Sequence, residues 1–107
     1  MQSIEQTLIS FFARVAQKNQ PQLIKLEQEQ CFSVEQGRWC FTLPALFSFL
    51  RRHDDIFNCI DYSQFRQLIF NSQLNYTVKL YGAEINIANN QKKVDLSTYA
   101  LIWQEVN

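Results

Sequence analysis

Residues 61–88 read DYSQFRQLIFNSQLNYTVKLYGAEINIA, and this stretch decides the predicted fold because a helix pattern runs directly into a hairpin pattern. Asp61 stands where a helix N-cap is expected, and Gln64 follows at the spacing of a capping box. Apolar residues then recur with the period of a helix. The sequence therefore predicts a helix from Asp61 to about Gln73.

The second half of this stretch predicts a β-hairpin. Residues 75–81 alternate between polar and apolar side chains, which is typical of a strand with one buried face. Gly82-Ala83 then suits a two-residue turn. The resulting register places five apolar side chains on one face, and a slip of one residue would destroy that sorting. These side chains are Tyr76, Val78, Leu80, Ile85 and Ile87.

The N-terminal third begins with a helix and continues into an ambiguous segment. Ser3 and Gln6 form a second capping box, and the apolar residues that follow share a narrow arc of a helix. Pro21 is expected to stop this helix, because the residue before a proline avoids helical geometry. Residues 22–30 fit either a short strand or a single helical turn.

A further hairpin is predicted around Glu35-Gln36-Gly37-Arg38, where alternation returns on both sides of a turn sequence. In this hairpin Val34 faces Trp39 across the strands. Phe32 then faces Phe41, and the shared face is aromatic.

The remaining elements are a central helix and a C-terminal segment of uncertain type. Thr42 is a suitable N-cap for a helix over 43–53, and the apolar connection 56–60 is expected to lie against the core. Asp95 could cap a helix over 96–106. A third strand is the alternative there, because several of these residues favour β-structure.

Length and composition predict one globular unit. The chain has 107 residues, 47% hydrophobic and 14% aromatic, which is enough for one sizeable core and too little for two. The fold class is therefore α+β, as a single domain over residues 1–107. Its order is an N-terminal helix, a β-hairpin, two consecutive helices, a second β-hairpin and a short C-terminal helix or strand.

Charge and hydropathy argue against several classes of partner. Ten basic and ten acidic side chains are interleaved along the chain, without the concentrated positive charge of a nucleic-acid or anionic-membrane surface. The apolar runs are only a few residues long, so no membrane contact is expected.

The metal-ligating and catalytic residue types are few. Cys31, Cys40 and Cys59 include no C-x-x-C pair, and His53 is the only histidine, so we expect no metal, no cofactor and no disulfide. An odd cysteine count without a signal sequence indicates reduced thiols in the cytoplasm. Neighbouring helical residues point about 100° apart, so His53 and Asp54 form no catalytic dyad by adjacency, and we expect no enzyme.

The order helix, extended segment, helix, helix, hairpin resembles that of a winged-helix domain. The helices would be 43–53 and 61–73, and the wing 76–88. The resemblance implies that the second helix could enter a DNA major groove, with amide and basic residues reading bases and phosphates. DNA binding is nevertheless the alternative function, because the helix carries one cation and Glu84 lies at the wing tip. The candidate contacts are Ser63, Gln64, Arg66, Gln67, Arg51, Arg52, Lys79, Lys92 and Lys93.

The favoured interpretation is a protein-interaction domain that binds either a second copy of itself or a larger partner. Its aromatic residues exceed what a small core comfortably holds, and surface aromatics are frequent interface anchors. Ordinary core packing is the alternative for each of them. The candidate interface residues are Trp39, Phe47, Phe49, Phe70, Tyr81 and Trp103.

Overall fold

A computed structural model describes residues 3–30, 32–35, 37–89 and 97–103. Within these residues the chain forms five α-helices, one 3₁₀ helix and four strands. In chain order they are α1 (Ile4–Ala16), α2 (Gln20–Glu27), β1 (Ser33–Glu35), β2 (Arg38–Phe41), α3 (Leu43–His53), the 3₁₀ helix (Asp55–Cys59), α4 (Tyr62–Asn71), α5 (Leu74–Lys79), β3 (Ala83–Asn89) and β4 (Thr98–Trp103).

The predicted α+β class and the broad order of helices and hairpins are confirmed. The strands form one antiparallel sheet in the order β1-β2-β4-β3. The last strand therefore lies between an early hairpin and the strand that precedes it in the chain. Of the two alternatives for the C-terminal segment, the strand is correct over 98–103.

The helix starts follow the capping signals in the sequence. Ser3 and Gln6 form the predicted capping box of α1, and Asp61 and Gln64 form that of α4. In the second box the Gln64 amide donates to Asp61 Oδ1 at 2.8 Å, and the Asp61 amide donates to Gln64 Oε1 at 2.9 Å. Thr42 caps α3 through the amide of Ala45. These local contacts satisfy backbone donors that a helix start would otherwise leave unpaired.

The prediction of a strand over 75–81 is wrong, because these residues lie mostly in α5. Leu74 and Val78 are four residues apart, both are buried, and α5 packs against α1. A run this short satisfies the strand period and the helix period equally, so tertiary packing decides between them. Tyr76 and Leu80, which the predicted register placed in the core, are each 64% exposed.

The second hairpin exists, but it is formed by later residues than predicted. β3 pairs with β4, with Ile85 opposite Leu101 and Ile87 opposite Tyr99. Gly82 still makes a turn at a φ of +84°, but it joins α5 to β3. Lys92 and Lys93, which are candidate phosphate contacts, and the predicted cap Asp95 lie outside the described residues.

The first hairpin has the predicted register, and the ambiguous segment after α1 is helical. Val34 lies opposite Trp39. Residues 20–27 form α2, in which Asn19 caps the helix by accepting the Gln22 amide. Pro21 lies in the first turn of this helix, where its missing N–H removes no hydrogen bond. The proline therefore lies at the start of the second helix, and α1 already ends at Ala16.

The core lies between the inner face of the sheet and the helices, with Trp39 at its centre. The Trp39 ring is fully buried and meets the rings of four phenylalanines at centroid distances of 4.4 to 6.0 Å. Two of them belong to α1, so this cluster holds β2 against the first helix. The four are Phe11, Phe12, Phe32 and Phe41.

A second tryptophan joins the last strand to the first helix. The Trp103 indole N–H donates to the Val15 carbonyl at 2.9 Å in a buried hydrogen bond. Trp103 is at the end of β4, and Val15 is in the last turn of α1. This contact therefore connects the two ends of the described chain.

Replacing Trp103 by Phe should lower the free energy of unfolding by about 1–3 kcal/mol, because the hydrogen bond and part of a buried ring are lost. Urea unfolding measures the change. Tyr76→Phe is the control, since Tyr76 is largely exposed and should change stability by less than about 0.5 kcal/mol. Equal stability of Trp103→Phe and Tyr76→Phe would contradict the role of this bond.

Candidate functional site

Four of the six candidate interface aromatics belong to the core. Trp39, Phe47, Phe49 and Trp103 have exposures of 0%, 6%, 1% and 7%. Phe47 stacks on Phe65 at 4.8 Å, which fixes it between α3 and α4. Ordinary core packing is therefore the correct interpretation for these four, and they offer no surface to a partner.

Phe70 and Tyr81 remain exposed, at 55% and 48%. Sequence reasoning missed several other exposed apolar residues, and one of them is Ile87, which is 54% exposed. It was missed because the wrong strand register assigned Ile87 to the core. The exposed apolar surface therefore differs from the predicted one, and it includes residues of both α4 and β3.

Phe70 and Ile87 line one open groove between the helices and the sheet. The groove has a volume of about 310 Å³ and lies between the end of α4, the start of α5 and the strands β3 and β4. None of its lining residues is charged. Its apolar lining consists of Ile69, Phe70, Leu74, Ile85, Ile87 and Tyr99, and we call it the apolar groove.

The apolar groove runs along one edge of the sheet, where β3 is the last strand among the described residues. Asn75 occupies part of this edge. Its Nδ2 donates to the Ile85 carbonyl at 3.3 Å, and its Oδ1 accepts the Ile85 amide at 3.1 Å. The Asn75 amide thus pairs with β3 as a neighbouring strand would. In a regular antiparallel strand alternate residues point to the same edge, so we expect the backbone N–H and C=O of Ile87 to point outward as well, just before the register of β3 shifts between Ile87 and Asn89.

A polar atom without a partner lies at the end of the apolar groove. Ser72 Oγ is buried and has no hydrogen-bond partner among the described residues. Buried hydroxyls in native proteins are nearly always satisfied. This hydroxyl, with Asn75 and Asn86, provides the polar part of an otherwise apolar site.

Asn75→Ala should reduce the free energy of unfolding by about 1–2 kcal/mol more than Asn71→Ala does, because two hydrogen bonds to β3 are lost. Asn71 ends α4 and is exposed, so it is a matched control for the change in side chain. Urea unfolding gives the stabilities, and amide exchange at Ile85 should become faster only in Asn75→Ala. Unchanged exchange at Ile85 would contradict the strand-like role of Asn75.

Three of the cations proposed for phosphate contact already have partners in the protein. Arg52 forms two bonds to the Glu29 carboxylate, at 2.9 and 2.6 Å. Arg51 Nε donates to Asn58 Oδ1 at 3.0 Å. Its guanidinium also lies 5.2 Å from the centre of the Phe47 ring. Each of these contacts would have to be broken or shared before a phosphate could bind.

Lys79 is the third of these cations, and the candidate recognition helix α4 also offers little positive charge. Lys79 Nζ lies 3.8 Å from Glu84 Oε1, although the two residues flank a helix-to-strand turn. On α4, Ser63, Gln64 and Gln67 are exposed, whereas Arg66 is partly buried. This helix therefore presents amides with little positive charge.

The Arg52–Glu29 pair predicts a dependence of stability on pH. The hydrogen bonds from Arg52 hold the pKa of the Glu29 carboxyl below its ordinary value, against a smaller opposing effect of burial. The pair should therefore stabilise the fold fully above the unfolded carboxyl pKa of about 4.3, and this contribution should be lost as the pH falls through the lower folded value.

Unfolding of the wild type and of Glu29→Gln between pH 7 and pH 3 measures this contribution. The difference in their unfolding free energies should be constant above about pH 5 and should shrink below about pH 4. Glu27→Gln is the control, since Glu27 is an exposed acid at the end of α2, two residues before Glu29, with no ion pair among the described residues. A pH-independent effect of Glu29→Gln would contradict the assignment.

His53 and Asp54 have structural partners. The His53 ring lies 4.3 Å from the Phe49 ring, and Asp54 Oδ1 accepts the amide of Ile56 to cap the 3₁₀ helix. Cys40 and Cys59 are free thiols, whereas Cys31 lies outside the described residues. Across the described ranges, no three His, Cys, Asp or Glu side chains are grouped closely enough to hold a metal ion.

No protein-family model matches the chain, and comparisons with curated proteins and with solved structures gave no significant match. In the described part of the chain, no helix is both long enough and apolar enough to span a membrane. The resemblance to a winged helix is therefore a resemblance in the order of helices and strands only. The function has to be inferred from the geometry of this chain.

Proposed function

We propose that the chain is a non-enzymatic protein-interaction domain of the cytoplasm, which binds protein through the apolar groove. The main observation in support of this proposal is that Phe70 and Ile87, each more than half exposed, flank one concave and uncharged surface. Exposed apolar residues grouped in this way are typical of interaction sites. The free thiols of Cys40 and Cys59 fit a reducing compartment.

The site has two parts that a partner must match. The lining of the apolar groove carries no charge, so charged side chains of a partner would lose hydration there without gaining an ion pair. Beside it, the outward backbone groups of Ile87 can pair with an added extended segment. The favoured partner therefore offers an apolar surface together with a strand edge.

A second copy of this chain meets both requirements. It presents the same uncharged groove and the same edge of β3, and two such edges can pair antiparallel about a twofold axis. Pairing centred on Ile87 would remove two half-exposed isoleucines from water and would occupy the edge that Asn75 leaves open. The proposed function is therefore self-association through β3 and the apolar groove.

Ile87→Glu tests this proposal, because it places a charge in the apolar groove at a position where the folded chain is exposed. Sedimentation of the wild type should give a mass that rises above that of the monomer with concentration, and Ile87→Glu should remain monomeric. Ile24→Glu is the matched control, since Ile24 is 50% exposed on α2 and does not line the groove. It should associate as the wild type does.

Two outcomes would contradict self-association at this site. One is a wild-type monomer at every concentration. The other is equal association of Ile87→Glu and the wild type, which would mean that the contact lies elsewhere.

DNA binding through α4 is the second candidate function, favoured by the exposed Ser63, Gln64 and Gln67 in its first two turns, of which Gln64 also accepts the Asp61 amide. Because Arg52 and Lys79 are paired with acids, we expect negligible binding to duplex DNA at physiological salt. A binding assay at low and moderate salt measures this. Tight binding that weakens steeply with salt and is lost in Arg66→Ala would favour the DNA function instead.

A further inference from the structure

The exposed large apolar side chains of the described residues are concentrated in one part of the chain. Six such side chains are at least 48% exposed, and five of them lie between the end of α4 and β3. The apolar groove accounts for two of the five, Phe70 and Ile87. The other three, Tyr76, Leu80 and Tyr81, lie in or directly after α5 and do not line the groove. A second apolar surface therefore exists on α5, whose start lines the groove.

Tyr76 and Leu80 share the outer side of α5. They are four residues apart in helical geometry, so their side chains lie on the same side of the helix, and each is 64% exposed. The opposite side carries Val78, which is fully buried, and α5 packs there against α1. Lys79 is directed at β3, where it meets Glu84 at 3.8 Å. The described part of the chain therefore leaves the outer side to solvent, and we call the surface formed by Tyr76 and Leu80 the α5 face.

The charge around the α5 face suits a second copy of the same surface. Lys79 is the only charged residue of α5, and its ammonium lies beside the Glu84 carboxylate of the same chain. The adjoining apolar groove has no charged lining residue. Two copies of this surface can therefore approach without repulsion between like charges. A strongly charged partner, in contrast, would lose hydration there and find its opposite charge already paired.

Pairing of two copies through β3 would also bring the second chain onto the α5 face. If Ile87 of each copy lies at the centre of the pairing, the next outward backbone groups along β3 are those of Ile85. The Asn75 side chain already holds these groups through two hydrogen bonds. The second strand cannot pair at this position. It therefore has to leave the edge of β3 beside α5, and it passes over the outer side of this helix.

The area that a stable interface needs leads to the same surface. A half-exposed aromatic or large aliphatic side chain offers on the order of 100 Å², so Phe70 and Ile87 together supply about 200 Å². A stable interface buries about 800 Å² on each partner. Tyr76, Leu80 and Tyr81 raise the apolar contribution to about 500 Å², and a polar rim ordinarily supplies the remainder. The groove alone is therefore too small, whereas the groove with the α5 face is adequate.

We propose that the interface between two copies of the chain continues from the apolar groove over the α5 face, where Tyr76 and Leu80 are anchor residues. This inference rests on the proposed function, because it takes a second copy as the partner. Tyrosine is frequent among the residues that dominate binding energy. Its hydroxyl can stay in contact with water while its ring is covered. Two residues that the predicted strand register assigned to the core thus form part of the binding surface.

Leu80→Glu tests the proposal, because it places a charge on the α5 face at an exposed position. Its dissociation constant for self-association, measured by sedimentation, should exceed that of the wild type by about tenfold or more, since a twofold interface contains each substitution twice. Tyr76→Ala removes an anchor without adding charge and should weaken association about fivefold. Ile24→Glu, at a residue 50% exposed on α2, should associate as the wild type does. Circular dichroism and the urea midpoint show that each variant is folded.

Comparison with Ile87→Glu separates this inference from the proposed function. If both inferences hold, Leu80→Glu and Ile87→Glu each weaken association. Loss of association in Ile87→Glu, with Leu80→Glu and Tyr76→Ala equal to the wild type, would overturn the α5 contact and leave the proposed function in place. Loss in Leu80→Glu alone would support the α5 contact and contradict binding through the groove. A wild-type monomer at every concentration would overturn both.

Discussion

The packing of the buried Trp39 ring against its aromatic neighbours is the interaction on which the rest of this structure depends. Its ring meets Phe11 and Phe12 of α1, and Phe41 on its own strand, at 4.4 to 6.0 Å. The first hairpin is thereby held against the first helix, and Phe49 of α3 meets Phe11 at 6.0 Å on the far side. Because closely packed aromatic side chains tolerate little rearrangement, the positions of β2 and α3 are set together. β4 then pairs with β2 on the side away from β1.

The placement of β4 explains why an open groove remains. β4 pairs with β2 on one side and β3 on the other, which leaves β3 as an edge strand. Helix α5 covers the inner face of β3 near Ala83 and is too short to continue along it. Ile87 therefore stays exposed, and Asn75 satisfies only the backbone at Ile85. Edge strands are usually blocked or charged, and the first half of β3 is both, through Asn75 and Glu84. The part of β3 at Ile87 is uncharged and lies beside an apolar surface, which a partner can use.

Local signals in the sequence predicted the parts of the fold that local contacts determine. The capping boxes at Ser3 and Asp61, and the hairpin that pairs Val34 with Trp39, depend on neighbouring residues. The helical structure of most of segment 75–81 depends instead on the burial of Leu74 and Val78 beside α1. Because α1 lies far away in the sequence, no short window around residue 78 contains this information. The same error hid part of the candidate site: Phe70 and Tyr81 were predicted to be exposed, but Ile87 was assigned to the core.

Cations that are already paired with acids of this chain are poor sites for binding a phosphate. Arg52 and Lys79 would have to contact phosphates in the DNA-binding alternative, yet each lies beside an acid of this chain. A phosphate would have to displace a carboxylate that already contacts the cation. Because the carboxylate belongs to the same chain, its contact carries no entropic cost of association, whereas phosphate binding does. Arg14 and Lys25 have no such competitor among the described residues, and they lie in the last turns of α1 and α2. Because a nucleic-acid backbone needs cations spaced along an extended surface, two unpaired cations at the ends of two helices do not make a DNA-binding face, whereas the uncharged groove suits protein.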